Sequence, residues 1–189
     1  MRRDAQMNHQ KILATARKLF ATQGTSQVSM KQLASAAQIG IGTLYRNFPN
    51  KGSLCLALAY DSIHAFVVDQ NAYLDTTTDK PNGQLAHVLQ GYLAVRAANE
   101  GLLTSIETES SPEQLTQLLQ NPLYVERVTL LLRVLHRVQP ASEPAYLQFQ
   151  ADMVVAMLKS RVYTFERYQR HLTANQLLKY TLRLLHQTS

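Results

Sequence analysis

Covalent chemistry needs particular residues at particular spacings, and this chain offers few of them. Its six histidines, His9, His64, His87, His136, His171 and His186, form no His-x-x-x-His pair and no metal-ligand spacing. Cys55 is the sole cysteine, which excludes an intramolecular disulfide and any multi-cysteine metal or cluster site. Its expected role is that of a small buried hydrophobe. The sequence contains no Gly-x-Ser-x-Gly nucleophile turn and no glycine-rich phosphate loop. Glu107 and Glu109 stand two apart, so they cannot share a helix face as an acid/base pair. What does stand out is non-covalent: Thr43, Tyr45, Arg46 and Asn47 bring hydrogen-bonding groups close together in a segment rich in cations.

The cations are unevenly spread. Residues 1–66 hold eight basic groups, Arg2, Arg3, Lys11, Arg17, Lys18, Lys31, Arg46 and Lys51, against Asp4 and Asp61. Their net of +6 is the net charge of the whole 189-residue chain, because basic and acidic residues cancel from 67 onward. An excess confined to one third suits a polyanionic partner for that third, or a solvated basic surface. Patterning has to decide between them.

The elements that must position these groups are helical. A hydrophobic fraction of 46% argues against disorder throughout, and 7 Gly with 6 Pro suit helices. The length allows one domain with a sizeable core, or two small packed ones. No segment approaches the roughly 18 uninterrupted apolar residues of a membrane span. Met1-Arg2-Arg3 is not followed by the apolar run of a signal peptide, so a reducing cytoplasm is the expected location. Strand candidates such as Phe66-Val67-Val68 lie inside longer helical patterns. Helix starts are marked by Ser-x-x-Gln boxes at Ser29–Gln32 and Ser111–Gln114, by Thr173–Gln176, and by Asn121-Pro122. Breaks at Thr76–Gly83, near Ser110, at Asn121, across Gln139–Pro144 and near His171 leave about nine helices and an all-α fold.

Helix one carries Ile12, Leu13, Ala16, Leu19 and Phe20 as one stripe at helical period, and Gly24 can end it in a positive-φ turn. Helix two starts at the Ser29 cap and presents Met30, Leu33, Ala34 and Ala37. After Gln38-Ile39-Gly40 a short helix runs from Ile41 to Phe48. Two short helices joined so briefly must cross steeply. Ala34 supplies the small residue at their approach, and Leu44 closes the same small core, which is the logic of a helix-turn-helix. The outward face, Thr43, Tyr45, Arg46 and Asn47, has little to anchor it in a core and suits a DNA major groove. Phe48 is expected inside. Asn50 caps a fourth helix, with Lys51 at its first position.

These residues resemble the DNA-binding domain of the tetracycline-repressor (TetR) family of bacterial transcription regulators. The match runs through Ile12-Leu13, Ala16, Leu19-Phe20, Gly24, Leu33-Ala34, Ala37, Gly42-Thr43-Leu44-Tyr45-Arg46-Asn47-Phe48, Lys51 and Leu54. The resemblance implies that Tyr45 bonds a phosphate through its hydroxyl, that Lys51 lies near a second, and that the Ser29 hydroxyl with the N–H groups behind it holds a third. It implies that Thr43 reaches backbone or base edges with Gly42 allowing close approach, and that Ile41 and Arg46 read bases. Lys31 and Asn47 complete the candidate DNA-contacting set, and Arg2 and Arg3 belong to a basic arm near the minor groove. Three positions depart from the family pattern. Gln38 stands where glycine is usual, Gly40 where Ser or Thr caps the recognition helix, and Ile41 where a polar residue is frequent.

The same resemblance divides the chain into a basic arm at 1–8, a helix-turn-helix domain at 9–66 with its motif at about 29–48, and a ligand-binding and dimerisation domain at 67–189. It implies a small-molecule effector pocket among the middle helices, with Tyr92, Arg96, Ile106, Tyr124 and Leu131 as candidate lining. It implies a homodimer joined through the last two long helices, with Met153, Met157, Arg161, Leu178, Leu182 and Leu185 as candidate interface. The expected function is a repressor bound to a palindromic operator in double-stranded DNA and released by its effector, with no cofactor, metal, membrane partner or enzymatic activity. The competing readings are a small helical enzyme with an incidental helix-turn-helix, which lacks a catalytic constellation, and a helical dimerisation module, which leaves the confined +6 charge unexplained.

Overall fold

A computed structural model describes residues 2–109, 113, 121–159 and 161–185. All regular structure among them is helical. The helices are α1 (Arg2–Gln23), α2 (Met30–Ala36), α3 (Ile41–Asn47), α4 (Lys51–Thr76), α5 (Pro81–Ala98), α6 (Glu100–Glu109), α7 (Pro122–Val138), α8 (Pro144–Lys159), α9 (Arg161–Tyr168) and α10 (Ala174–Leu185), with a 3-10 turn at Thr25–Gln27. Phe66, Val67 and Val68 are helical, as the surrounding pattern predicts. The expected cap at Ser111–Gln114 and the helix it would start lie outside the described residues, as does His186. The chain forms two compact units: Met1–Ser62 with Asn99–Thr116, and Ile63–Ala98 with Gln117–Ser189.

In the first unit, the apolar stripe of α1 meets α2, α3 and the start of α4. Ile12, Ala16, Val28, Leu33, Ala34, Leu44, Phe48, Leu54 and Leu58 are buried together, with Leu13, Leu19, Phe20, Met30 and Ile39 packed around them. Each buried leucine contributes about 1.5–3 kcal/mol, so this small core depends on every member. Gly24 takes φ 82° and donates its N–H to the Phe20 carbonyl at 3.0 Å, which stops α1. No atom lies near a Cβ built on Gly24, so glycine is required there by its backbone and not by space. The arm expected over 1–8 is instead the start of α1. Its residues include no proline or glycine, so nothing stops the helix running back to Arg2.

The first unit also contains α6, which the sequence division had assigned to the domain beginning at 67. Asn99 donates to the Ser62 hydroxyl at 2.8 Å, and Leu102 packs against the small core. A Cβ on Gly101 would stand 2.9 Å from the Thr25 hydroxyl oxygen, so the glycine lets α6 approach the 3-10 turn. The break at Asn99 has no proline, and its signal is a contact distant in sequence.

The second unit packs the rest of α4 with α5, α7, α8, α9 and α10 around a larger core that includes Leu85, Val88, Leu89, Leu130, Leu131, Val134, Leu135, Val155 and Leu158. Asn121 caps α7 by accepting the Leu123 N–H at 2.9 Å, with Pro122 opening the helix. Thr173 and Gln176 make a reciprocal capping box at the start of α10. Arg133 ties α7 to α4 through an ion pair with Asp75 and a bond to the Asn71 side-chain oxygen at 2.8 Å. Gly91 lets α5 approach α4, since a Cβ there would lie 2.9 Å from the Phe66 ring.

Candidate nucleic-acid interface

The turn between α2 and α3 sets the direction of α3. Ser29 accepts the Gln32 N–H at 3.2 Å while the Gln32 side chain accepts the Ser29 N–H at 2.8 Å, the capping box expected from the sequence. At the other end of α2, the Ile39 N–H bonds the Ala34 carbonyl and the Gln38 N–H bonds the Ser35 carbonyl, both at 3.0 Å. This is a Schellman ending, and it needs a left-handed residue at position 38. Gln38 accordingly has φ 52°, so the turn keeps the geometry glycine favours and a side chain bears it, at about 1–2 kcal/mol. Gly40 starts α3 in an extended conformation without a side-chain cap.

Leu44 is fully buried and anchors α3 to Leu33 and Ala34, and Phe48 is buried beyond it. His9 stacks on the Phe48 ring with centroids 4.8 Å apart, fixing α1 against the end of α3. Nothing local in the sequence signals this stacking. The opposite face of α3 points outward: Ile41 is 44% exposed and Tyr45 48% exposed, large residues one turn apart that the fold leaves in water. Arg46 is exposed and donates to the Thr43 hydroxyl at 3.0 Å, which holds the guanidinium over the same face. Asn47 is half-buried, and its amide donates to the Thr43 carbonyl at 2.9 Å. It therefore closes the end of the helix more than it extends the outward face.

A Cβ on Gly42 would meet nothing within 4 Å. Glycine inside a helix costs roughly 0.5–1 kcal/mol relative to alanine, and no neighbour in the protein requires it here. The space above it is open. Lys31 is exposed in the first turn of α2, Lys51 is half-exposed at the start of α4, and Ser29 is exposed. Asn50 caps α4 by accepting the Ser53 N–H at 2.7 Å, which fixes where Lys51 sits. No Asp or Glu occurs from Ser29 to Asn50, so no acid on α2, α3 or the turns flanking α3 offsets these cations. Arg17, farther back, is paired with Asp61.

The candidate residues of the second unit separate into groups. Tyr92 and Arg96 on α5 and Leu131 on α7 are buried in or beside the larger core, and Tyr124 packs against it. Tyr124 donates to the Asp152 carboxylate at 2.7 Å. Its burial first, and that bond second, push its pKa up to about 12. Ile106 is buried on α6, which belongs to the first unit. Of the candidate interface residues, Met153, Met157 and Leu185 line one apolar groove of about 240 Å³ between α8 and α10, together with Tyr146, Phe149 and Leu184. Leu178 and Leu182 pack against their own core, and Arg161 is exposed at the start of α9. Phe149 and Leu184, the latter 74% exposed, are not among the candidate interface residues. Both continue the spacing of named residues, Phe149 four before Met153 and Leu184 beside Leu185. Among the described residues no three His, Cys, Asp or Glu side chains gather where they could share a metal ion, and no helix is long and apolar enough to cross a membrane.

Comparison with known proteins agrees with this geometry. Residues 12–58 match the sequence model of the family described as bacterial regulatory proteins, tetR family. An HTH-type transcriptional regulator of Staphylococcus aureus (strain USA300) is 28% identical over 185 residues, covering 97% of this chain and 95% of that protein. The crystal structure of Thermus thermophilus FadR, a TetR-family transcriptional repressor in complex with lauroyl-CoA, is similar in fold, with a TM-score of 0.72 at 17% identity over 94% of this chain and 92% of that one. Bacillus subtilis FadR in complex with stearoyl-CoA has a TM-score of 0.65 at 20% identity over 93% of this chain and 96% of that one. With the helix-turn-helix and its acid-free outward face, residues 12–58 match the DNA-binding segment of the tetR family of bacterial regulatory proteins, and along its length the chain is similar to an HTH-type transcriptional regulator.

Proposed function

We propose that the protein is a cytoplasmic homodimeric repressor that leaves a palindromic operator when a small molecule binds its second unit. The observation that carries the DNA half of this reading is the outward face of α3. Ile41 and Tyr45 are held in water, Arg46 is steadied by Thr43, and Gly42 clears space that nothing in the chain fills. In this reading Ile41, Gly42, Thr43 and Arg46 meet base edges, with the Ile41 side chain suited to a thymine methyl. Tyr45, Lys51, Lys31 and the Ser29 end of α2 meet phosphates, and Asn47 keeps the end of α3 in place. One such helix reaches few base pairs. Two, placed about 34–36 Å apart along the duplex, read a palindrome.

The groove between α8 and α10 supports the dimer. Its exposed aromatic and aliphatic side chains would be covered by the same surface of a second copy. The effector half of the reading draws on the acyl-CoA complexes of the two similar FadR proteins. An effector that binds better to a form with badly spaced recognition helices lowers DNA affinity by that difference. No catalytic step belongs to this reading.

Selection of bound fragments from random duplex DNA tests it, followed by binding measurements with variants. Tyr45→Phe is expected to weaken binding to all sequences alike, and Ile41→Ala to change sequence preference. Parent-like binding by both variants on matched and mismatched sites would remove α3 from the interface.

A further inference from the structure

The second unit buries two arginines. The apolar stripe of α5 runs Leu85, Leu89, Tyr92 and then Arg96, so a guanidinium occupies a core position. Arg96 is 2% exposed. Its Nε donates to the Leu158 carbonyl at 2.9 Å and its Nη2 to the Thr164 hydroxyl at 3.3 Å, and its guanidinium lies 4.7 Å from the centre of the Tyr163 ring. Its Nη1 is buried and has no hydrogen-bond partner. One turn earlier on α5, the Tyr92 hydroxyl accepts from Arg127, which is 9% exposed and whose Nε donates to the Leu123 carbonyl at 2.9 Å. Among the described residues, neither arginine pairs with an acid. The ion pairs described in this unit are His64–Glu126, Arg133–Asp75 and Arg170–Glu166. Asp152 accepts from Tyr124 and Gln148.

A buried cation with only neutral partners is strongly unfavourable, because carbonyl, hydroxyl and ring contacts do not replace a counter-charge. Arg96 also presents an unused donor. The ring of Tyr92 stacks on Phe66 at 5.8 Å, so the chain near these guanidiniums is aromatic and apolar. We propose that Arg96 is the head-group site for an organic monoanion: a carboxylate, carried on an apolar body, that accepts from the free Nη1 within the second unit. Arg127, bonded through Tyr92, adds positive potential without touching the head group. The proposal deepens the effector reading and rests on it for any effect on DNA.

The test uses the full chain and three probes of one chain length: sodium dodecanoate and dodecyltrimethylammonium below their micellar concentrations, and 1-dodecanol below its solubility limit. Calorimetric binding and thermal denaturation are followed for the wild type, Arg96→Gln and Arg96→Lys, and operator affinity for the wild type. The expected result is that dodecanoate raises Tm and binds at least tenfold more tightly than either other probe. Arg96→Gln abolishes that preference and Arg96→Lys keeps part of it. Should Arg96→Gln fail to fold, Arg96→Lys and the wild-type selectivity decide. Absence of dodecanoate binding, equal binding of the three probes, or an unchanged preference in Arg96→Gln overturns the proposal. Binding through Arg96 with unchanged DNA affinity leaves the anion site standing and removes the effector reading. Release of DNA by dodecanol or the ammonium probe, without dodecanoate binding, does the reverse.

Discussion

Around the helix-turn-helix the cations stand on the surface, whereas the second unit turns two arginines inward. Arg46 and Lys31 are exposed, and no acid stands on α2 or α3 to offset them. Arg96 and Arg127 are buried among carbonyls, hydroxyls and rings. Surface cations keep their hydration until a polyanion releases its counterions, so their value appears on association and fades with salt. Buried guanidiniums are already desolvated, and salt hardly screens them. If both proposals hold, one charge type serves two kinds of partner, an extended polyanion outside and a single compact anion inside.

The largest expected effect comes from breaking the small core beneath the outward face. Leu44→Ala should cost about 2–5 kcal/mol in denaturant unfolding. Hydrogen exchange should rise in α2 and α3 while α7 keeps its protection. Equal loss of protection in both units would mean that they do not open separately.

Next is Gly42→Ala. It should leave the fold intact or stabilise it by up to about 1 kcal/mol. DNA affinity should fall about tenfold, within the roughly 1–3 kcal/mol range of one base contact. Undiminished affinity in gel retardation would show that the space above Gly42 is not used.

A smaller change, Gln38→Gly, relieves the left-handed backbone and should add about 1 kcal/mol in thermal denaturation. A loss of stability would mean that the Gln38 side chain contributes more than its backbone costs.

A further effect concerns pH. Tyr124 has a folded pKa of about 12 against 10.0 for the ordinary group. Between those values the unfolded chain loses this proton and the folded chain keeps it, so ΔG of unfolding falls as pH rises. Its stabilising contribution is complete below pH 10 and lost by about pH 12. Tyr124→Phe should flatten that part of the stability profile, and an unchanged profile would reject the assignment.

What was legible in the sequence was local. The stripe of α1, the boxes at Ser29 and Thr173 and the Asn121-Pro122 start each lie within a few residues, and the structure forms each of them. The outward face of α3 was readable because Leu44 is the one buried residue within the helix. The return of α6 to the first unit was not, since it rests on Gly101 meeting Thr25 across a long stretch of chain. Nor could Leu184 be told from Leu185 by type, because only packing makes one exposed and the other buried. Arg127 sits between Leu123, Leu130 and Leu131 on one helix face, and that position in an apolar stripe was the signal for its burial.

The most direct test of the central claim is the salt dependence of binding to the selected operator. The account predicts that log Kobs falls linearly with log salt, with a slope near −0.9 for each phosphate contacted, and that Tyr45→Phe with Lys51→Gln makes it shallower. A slope near zero, or no duplex binding at low ionic strength, would contradict it.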